Sequence, residues 1–85
     1  MSKEQVLEKV RSIFIDIFDD ENLRIENSTN LEDIDNWDSL NHVNLIAEIE
    51  REFELKFQLI EIATLRNVVD IVDLISKKIL LKGQR

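Results

Sequence analysis

Apolar residues near the N-terminus recur at the three- and four-residue spacing of an amphipathic helix. Ser2 and Gln5 form the pattern of a capping box, in which two residues satisfy backbone groups at a helix start. The apolar positions that follow are Val6, Leu7, Val10, Phe14, Ile17 and Phe18. This spacing predicts a first helix from about residue 3 to residue 18, ended by the polar run that begins at Asp19.

Residues 19–38 lack helical spacing and are rich in Asp and Asn. A connection longer than about 12–15 residues inside a small domain is usually functional or poorly ordered. Four apolar residues interrupt this polar segment, namely Leu23, Ile25, Leu31 and Ile34. Such anchors predict an ordered connection that packs against the helices.

Helical spacing returns after Ser39 and again near the C-terminus. From Leu40 to Glu54, one predicted helix face carries Val43, Ile46, Ile49 and Phe53. Residues 58–63, QLIEIA, predict a short third helix whose Leu59, Ile60 and Ile62 either enlarge the core or form an exposed contact patch. Asn67 with Asp70 opens the last helix, whose inward positions are Val68, Val69, Ile71, Val72, Ile75 and Ile79.

The expected fold is therefore all-α. It is a small four-helix bundle with three main helices, a short third helix and a long first loop. We expect one domain over residues 1–80 and a short C-terminal tail over residues 81–85. Pro is absent and the only Gly is Gly83, so almost nothing interrupts the helices.

Composition limits the function. The formal net charge of −7 makes nucleic acids and anionic membranes poor partners and makes basic protein surfaces natural ones. With no Cys and one His, the chain has too few ligands for a structural zinc site. The sequence shows neither a secretory signal nor the roughly 20 apolar residues of a membrane span. We expect a cytoplasmic monomer.

The stretch DNWDSLNHV places Ser39 between Asp38 and Leu40, where the second helix begins. Ser is a preferred N-cap residue, and a cap is the simplest interpretation of Ser39. Asp38 would serve equally well, and Ser39 would then be an exposed first helical residue. The helix start favours an anion, so the position suits a phosphate ester, although Asp33, Asp35 and Asp38 would repel it.

Catalysis and metal binding are less well supported. Ser39 and His42, three residues apart on one helix, resemble part of a hydrolase triad, but no oxyanion hole or substrate pocket is evident. The carboxylates of residues 33–38 suggest a calcium loop. However, position twelve counted from Asp33 is Asn44 instead of the Glu of an EF-hand. We assign no catalytic residue and no metal site.

The DSL motif opening an amphipathic helix, after a first helix and a long loop, resembles an acyl carrier protein. EIEREFELKF and LRNVVDIVDLI are similar to the rest of that family in order and spacing, over most of the chain. The resemblance implies that Ser39 carries 4′-phosphopantetheine, flanked by Asp38 and Leu40. A phosphopantetheinyl transferase with Mg²⁺ would install the group from coenzyme A. The missing Cys becomes understandable, because the working thiol would belong to the prosthetic group.

The resemblance also implies that other proteins do the chemistry. An acyl group would be held as a thioester and presented by this chain, itself not an enzyme, to a loading enzyme and then to an acyltransferase or synthase. A strip along the second helix would bind them, comprising Leu40, Val43, Asn44, Ala47, Glu48 and Arg51.

Some positions depart from the family pattern. Asn41 and Asn44 stand where fatty-acid carriers often have acidic residues, and Trp37 replaces a small residue. Because rim charges set encounter rate and selectivity, these differences favour partners from a dedicated biosynthetic pathway. Trp37 is a candidate for packing against the tether, a partner or the bundle itself.

Two alternatives remain. A peptidyl or aminoacyl carrier would be loaded by an adenylating enzyme instead of an acyltransferase. A cofactor-free acidic helical interaction module would use Ser39 only as a cap and would gain no mass from coenzyme A.

Overall fold

The structure is a computed structural model that describes residues 1–82. This part of the chain forms four α-helices, α1 (Lys3–Phe18), α2 (Ser39–Phe53), α3 (Leu59–Ala63) and α4 (Val68–Lys82). A short 3₁₀ turn, Leu31–Asp33, lies in the connection between α1 and α2. The predicted all-α bundle is confirmed. Residues 81 and 82, expected in a tail, continue α4, and residues 83–85 of that tail lie outside the described residues.

Local sequence signals set the helix boundaries. At the start of α1, Gln5 N donates to Ser2 Oγ at 3.2 Å, and Ser2 N donates to Gln5 Oε1 at 2.8 Å. The helix ends at Asp19, which adopts the left-handed conformation with φ of 51°. Asp70 N donates to Asn67 Oδ1 at 2.9 Å where α4 begins. The predicted capping residues of α1 and α4 are confirmed.

The core lies where α1 meets α2 and α4. Its fully buried side chains are Phe14, Leu31, Leu45, Ile49, Ile71, Ile75, Val6, Val10, Val68 and Val72. Burial of these residues supplies the main driving force for folding.

Two positions predicted to face inward do not. Val43 is 62% exposed, and its place on the core side of α2 is taken by Leu45. At about 100° per residue, Val43 lies roughly 100° from the centre of the stripe that Leu45, Ile46 and Ile49 form. Val69 is only half-buried for the same geometrical reason. A strict three-residue spacing drifts by about 60° around the helix at each step, so residues that continue it can leave the buried face.

The long connection is ordered, as predicted. Ile25, Leu31 and Ile34 are buried, and Leu23 packs partly buried against them. Backbone hydrogen bonds join this connection to the segment where α4 begins. Leu31 N donates to Arg66 O at 3.0 Å, and Val68 N donates to Thr29 O at 2.9 Å. These bonds and apolar contacts fix the segment that leads into α2.

The revised face of α2 predicts a contrast in stability. Leu45→Ala should lower the free energy of unfolding by about 2–5 kcal/mol, because it removes buried methyl groups and leaves a cavity. Val43→Ala should change it by no more than about 0.5 kcal/mol, because the side chain is already in solvent. Urea denaturation followed by circular dichroism measures both. Equal losses for the two variants would contradict the assigned face.

Candidate functional site

Asp38 caps α2. Its Oδ1 accepts a hydrogen bond from Asn41 N at 2.8 Å, and Asn41 Nδ2 donates to Asn36 O at 2.8 Å. Asn36 has φ of 66°, a left-handed conformation that Asn tolerates better than most residues. Ser39 is consequently the first residue of the helix. The interpretation of Ser39 as the cap is wrong, because the carboxylate one residue earlier occupies that role.

The hydroxyl of Ser39 is available for chemistry. The residue is exposed, and the hydrogen bonds within residues 1–82 include none made by Ser39 Oγ. An ester on this oxygen would displace no internal interaction and would project into solvent. The position therefore fits a bulky covalent group.

A groove begins beside this serine, between the start of α2 and α3. Its volume is about 540 Å³, and it is open to solvent along one side. Apolar side chains form much of its wall, together with two acidic ones. The lining residues include Ser39, Val43, Leu59, Ile62, Glu32 and Asp38.

An aromatic cluster holds the approach to Ser39 against the bundle. The Trp37 ring stacks on Phe14 at 6.2 Å and on Phe18 at 6.1 Å between ring centroids. His42 meets the edge of Trp37 at 5.4 Å with an interplanar angle of 84°. Of the fates considered for Trp37, packing on the bundle is the one that the structure shows. The cluster ties the site rigidly to α1.

Packing against Trp37 leaves the His42 ring partly buried. Partial burial lowers the pKa of its imidazole from the ordinary value of 6.5, because burial disfavours the charged ring. Within the described part of the chain, no hydrogen bond joins the imidazole to Ser39. The triad geometry required for hydrolysis is not formed here.

The predicted partner-binding strip divides into two parts. Leu40 and Val43 are exposed near the Ser39 groove. A second groove, facing α1, is lined by Asn44, Ala47, Glu48, Arg51, Ile13, Asp16 and Ile17. Within it, an Arg51 guanidinium nitrogen donates to Glu48 Oε1 at 2.7 Å, so the two charges partly neutralise each other.

Sequence reasoning missed a contribution from α3. Leu59 shares the groove with Ser39 although twenty residues separate them along the chain. The exposed-patch alternative for the third helix applies to Leu59 and Ile60, whereas Ile62 packs partly buried on the core. The apolar character of this short segment was the available signal.

Two features are absent from residues 1–82. No three side chains of His, Cys, Asp or Glu in this range converge closely enough to hold a metal ion. In the same range, no helix combines the length and apolarity needed to cross a membrane.

The chain is similar to known proteins in sequence and in structure. The model of a family described as "Phosphopantetheine attachment site" matches residues 8–75. A solved structure, the holo acyl carrier protein of Geobacter metallireducens, is 40% identical and superposes with a TM-score of 0.86. The match covers 94% of this chain and 92% of that one. No curated protein sequence matched the chain significantly.

The observed cap predicts different costs for two neighbouring substitutions. Asp38→Ala should lower the free energy of unfolding by about 1 kcal/mol, because Asn41 N loses its acceptor. Ser39→Ala should change it by less than about 0.5 kcal/mol, because the hydroxyl has no internal partner. Asp38→Asn is the control, since Asn caps helices equally well. A larger loss for Ser39→Ala than for Asp38→Ala, in thermal or urea unfolding, would contradict this assignment.

The single imidazole allows a direct measurement of its environment. In an NMR pH titration, His42 should titrate below 6.5. Because folding lowers this pKa, the associated stability is present above the unfolded value and is lost as the pH falls through the folded one. Trp37→Leu removes part of the cover and should move the midpoint back towards 6.5. A midpoint at or above 6.5 in the unaltered protein would refute the predicted burial effect.

Proposed function

The chain belongs to the acyl carrier protein family, whose 4′-phosphopantetheine is attached covalently, and from that premise we propose that Ser39 is the attachment residue. The supporting observation is the exposed Ser39 at the start of α2, with its hydroxyl unused because Asp38 caps the helix. The family match decides against the cofactor-free interaction module.

The start of α2 supports a phosphodiester at this position. The carboxylate of Asp38 occupies the N–H of Asn41. Within residues 1–82, the backbone N–H groups of Ser39 and Leu40 make no hydrogen bond, as expected for the first turn of a helix. These groups and the positive end of the helix dipole favour an anion next to Ser39. The acidic neighbours oppose this effect, and salt screens their repulsion.

The proposed attachment is a phosphoryl transfer from coenzyme A. Ser39 Oγ forms a bond to the phosphorus that bears pantetheine, and the pyrophosphate bond of coenzyme A breaks. The leaving group is adenosine 3′,5′-bisphosphate, and the serine proton passes to a base of the transferase. Mg²⁺ held by the transferase neutralises the phosphates. This chain supplies only the nucleophilic oxygen and its orientation.

The attached group would supply the thiol that this Cys-free chain lacks, so that an acyl cargo is held as a thioester. Catalysis then lies with the partners, namely the transferase, a loading enzyme and a downstream acyltransferase or synthase. We propose that they belong to a dedicated pathway and contact Leu40, Val43, Asn44, Ala47, Glu48 and Arg51 of α2. The cytoplasmic location and the monomeric state remain predictions.

Attachment at Ser39 has a direct test. Incubation with coenzyme A, Mg²⁺ and a promiscuous phosphopantetheinyl transferase should increase the intact mass by one phosphopantetheine. Ser39→Ala should abolish the increase, because the nucleophilic oxygen is gone. Ser28→Ala, which removes another exposed serine, should retain it.

The result would go against the proposal if Ser39→Ala still gained the group or if the unaltered protein gained none. The nature of the cargo needs a second assay on the loaded protein. Acylation by an acyltransferase would support the acyl carrier, whereas charging by an adenylating enzyme would support an aminoacyl carrier.

A further inference from the structure

His42 lies one helical turn beyond Ser39, on the same side of α2. Residues three apart on a helix are neighbours, with Cβ atoms about 5–6 Å apart. Both residues line the groove between the start of α2 and α3. The backbone fixes this relation, because His42 N donates to Asp38 O at 3.0 Å in the first turn of the helix. The imidazole is therefore close to Ser39 Oγ, the proposed attachment atom.

Packing holds the His42 ring without using its nitrogen atoms. The ring lies 5.4 Å from Trp37 between centroids and is nearly perpendicular to it, at 84°. Within residues 1–82, neither imidazole nitrogen makes a hydrogen bond or an ion pair, and both remain accessible to solvent. The ring is thus held in place beside Ser39 with its hydrogen-bonding edge available to a ligand.

The charge around the groove opposes an anion on Ser39. Residues 19–38 contain eight of the 18 Asp and Glu residues and one of the 11 Lys and Arg residues, so this connection has a formal net charge of −7. Glu32 and Asp38 of the connection line the groove, and in the described part of the chain no Lys or Arg does. Among these groove-lining residues, His42 is the one whose side chain can take up a positive charge.

The charged groups that face His42 come from the connection and from the turn before α4. Glu32, Asp33 and Arg66 line a cavity of about 520 Å³ that His42 also borders, and Asp38 shares the groove. Within residues 1–82, α1 and α3 place no charged side chain in the walls of these two spaces. The carboxylates favour the imidazolium but form no ion pair with it, so burial prevails and lowers the pKa of His42.

We propose that His42 is a positioning residue whose imidazole donates a hydrogen bond to the phosphodiester on Ser39. The inference rests on the proposed function and assigns a second residue of this chain to the prosthetic group. The unesterified oxygens of a phosphodiester are acceptors, while a neutral imidazole has one N–H donor and an imidazolium has two. The contact holds the first bonds of the arm against the groove and offsets the repulsion by Glu32 and Asp38.

Attachment should change the titration of His42. The pKa of the imidazole should rise, because a hydrogen-bonded phosphodiester anion favours the charged ring. Proton NMR titrations of the unmodified and the phosphopantetheinylated protein measure both midpoints, once intact mass has shown the loading. The modified protein should titrate at the higher pH. The difference should persist at about 0.5 M NaCl, because salt screens separated charges much more than a direct hydrogen bond.

Phosphorus NMR gives an independent readout. A phosphodiester does not itself titrate between about pH 5 and 8, the range in which imidazole does. The phosphorus chemical shift of the modified protein should nevertheless change with pH, with the midpoint of His42. His42→Leu keeps an apolar side chain against Trp37 and should abolish this pH dependence. His42→Gln should abolish it too, but its phosphorus shift at neutral pH should lie nearer that of the unaltered protein, because Gln retains an N–H donor.

Arg66→Gln is the matched control. It alters a charged neighbour of His42 in the adjoining cavity and leaves the imidazole unchanged. The phosphorus shift of this variant should still follow the titration of His42. Circular dichroism melting checks that each variant keeps the fold. If His42→Leu does not fold or is not loaded, the coincidence of the two titrations in the unaltered protein decides alone.

Four results would overturn the inference. They are equal midpoints for His42 with and without the group, a difference that vanishes at about 0.5 M NaCl, a phosphorus shift that does not follow His42, and a pH dependence that survives in His42→Leu. None of these results affects the proposed function. Failure of the proposed function is seen earlier, in the intact mass, because the unaltered protein would then gain no phosphopantetheine.

Discussion

The hydrogen bond from Asn41 N to the carboxylate of Asp38 is the interaction on which the site depends. A helix start needs acceptors for its free N–H groups, and Ser and Asp are both suited to supply one. Because Asp38 supplies this acceptor, the Ser39 hydroxyl makes no internal hydrogen bond and is exposed. The proposed modification of Ser39 would therefore leave the helix cap intact.

This arrangement relies on the long connection being rigid where it meets α2. Trp37 stacks on two phenylalanines of α1 and contacts His42 of α2, so one side chain joins the end of the connection to both helices. Backbone hydrogen bonds to the turn before α4 hold the middle of the same segment. A polar stretch without helical spacing is thereby fixed by a few apolar anchors, and the Ser39 hydroxyl lies at a defined place on the bundle.

Near Ser39, exposed apolar area and negative charge lie on different elements of the structure. Apolar area lies on α2 and α3, while the excess negative charge lies on the connection. Apolar contact is effective at short range and contributes chiefly to affinity, whereas charge acts over roughly 8–10 Å and contributes chiefly to the rate and orientation of encounter. Under the proposed function the chain meets several enzymes in turn, and neither contribution requires a deep pocket.

The sequence by itself determined the four helices and the ordered connection, because capping residues and apolar spacing are local signals that act over a few residues. It also contained the DSL motif that marks Ser39. It left open whether Ser39 or Asp38 caps α2, since both have suitable oxygens. It also misplaced Val43, because the face of α2 that is buried depends on where α1 and the other helices lie. Only the tertiary structure brought Leu59 beside Ser39 and set Trp37 against Phe14, since contacts between residues distant in the chain follow from how helices pack and not from the pattern within any one of them.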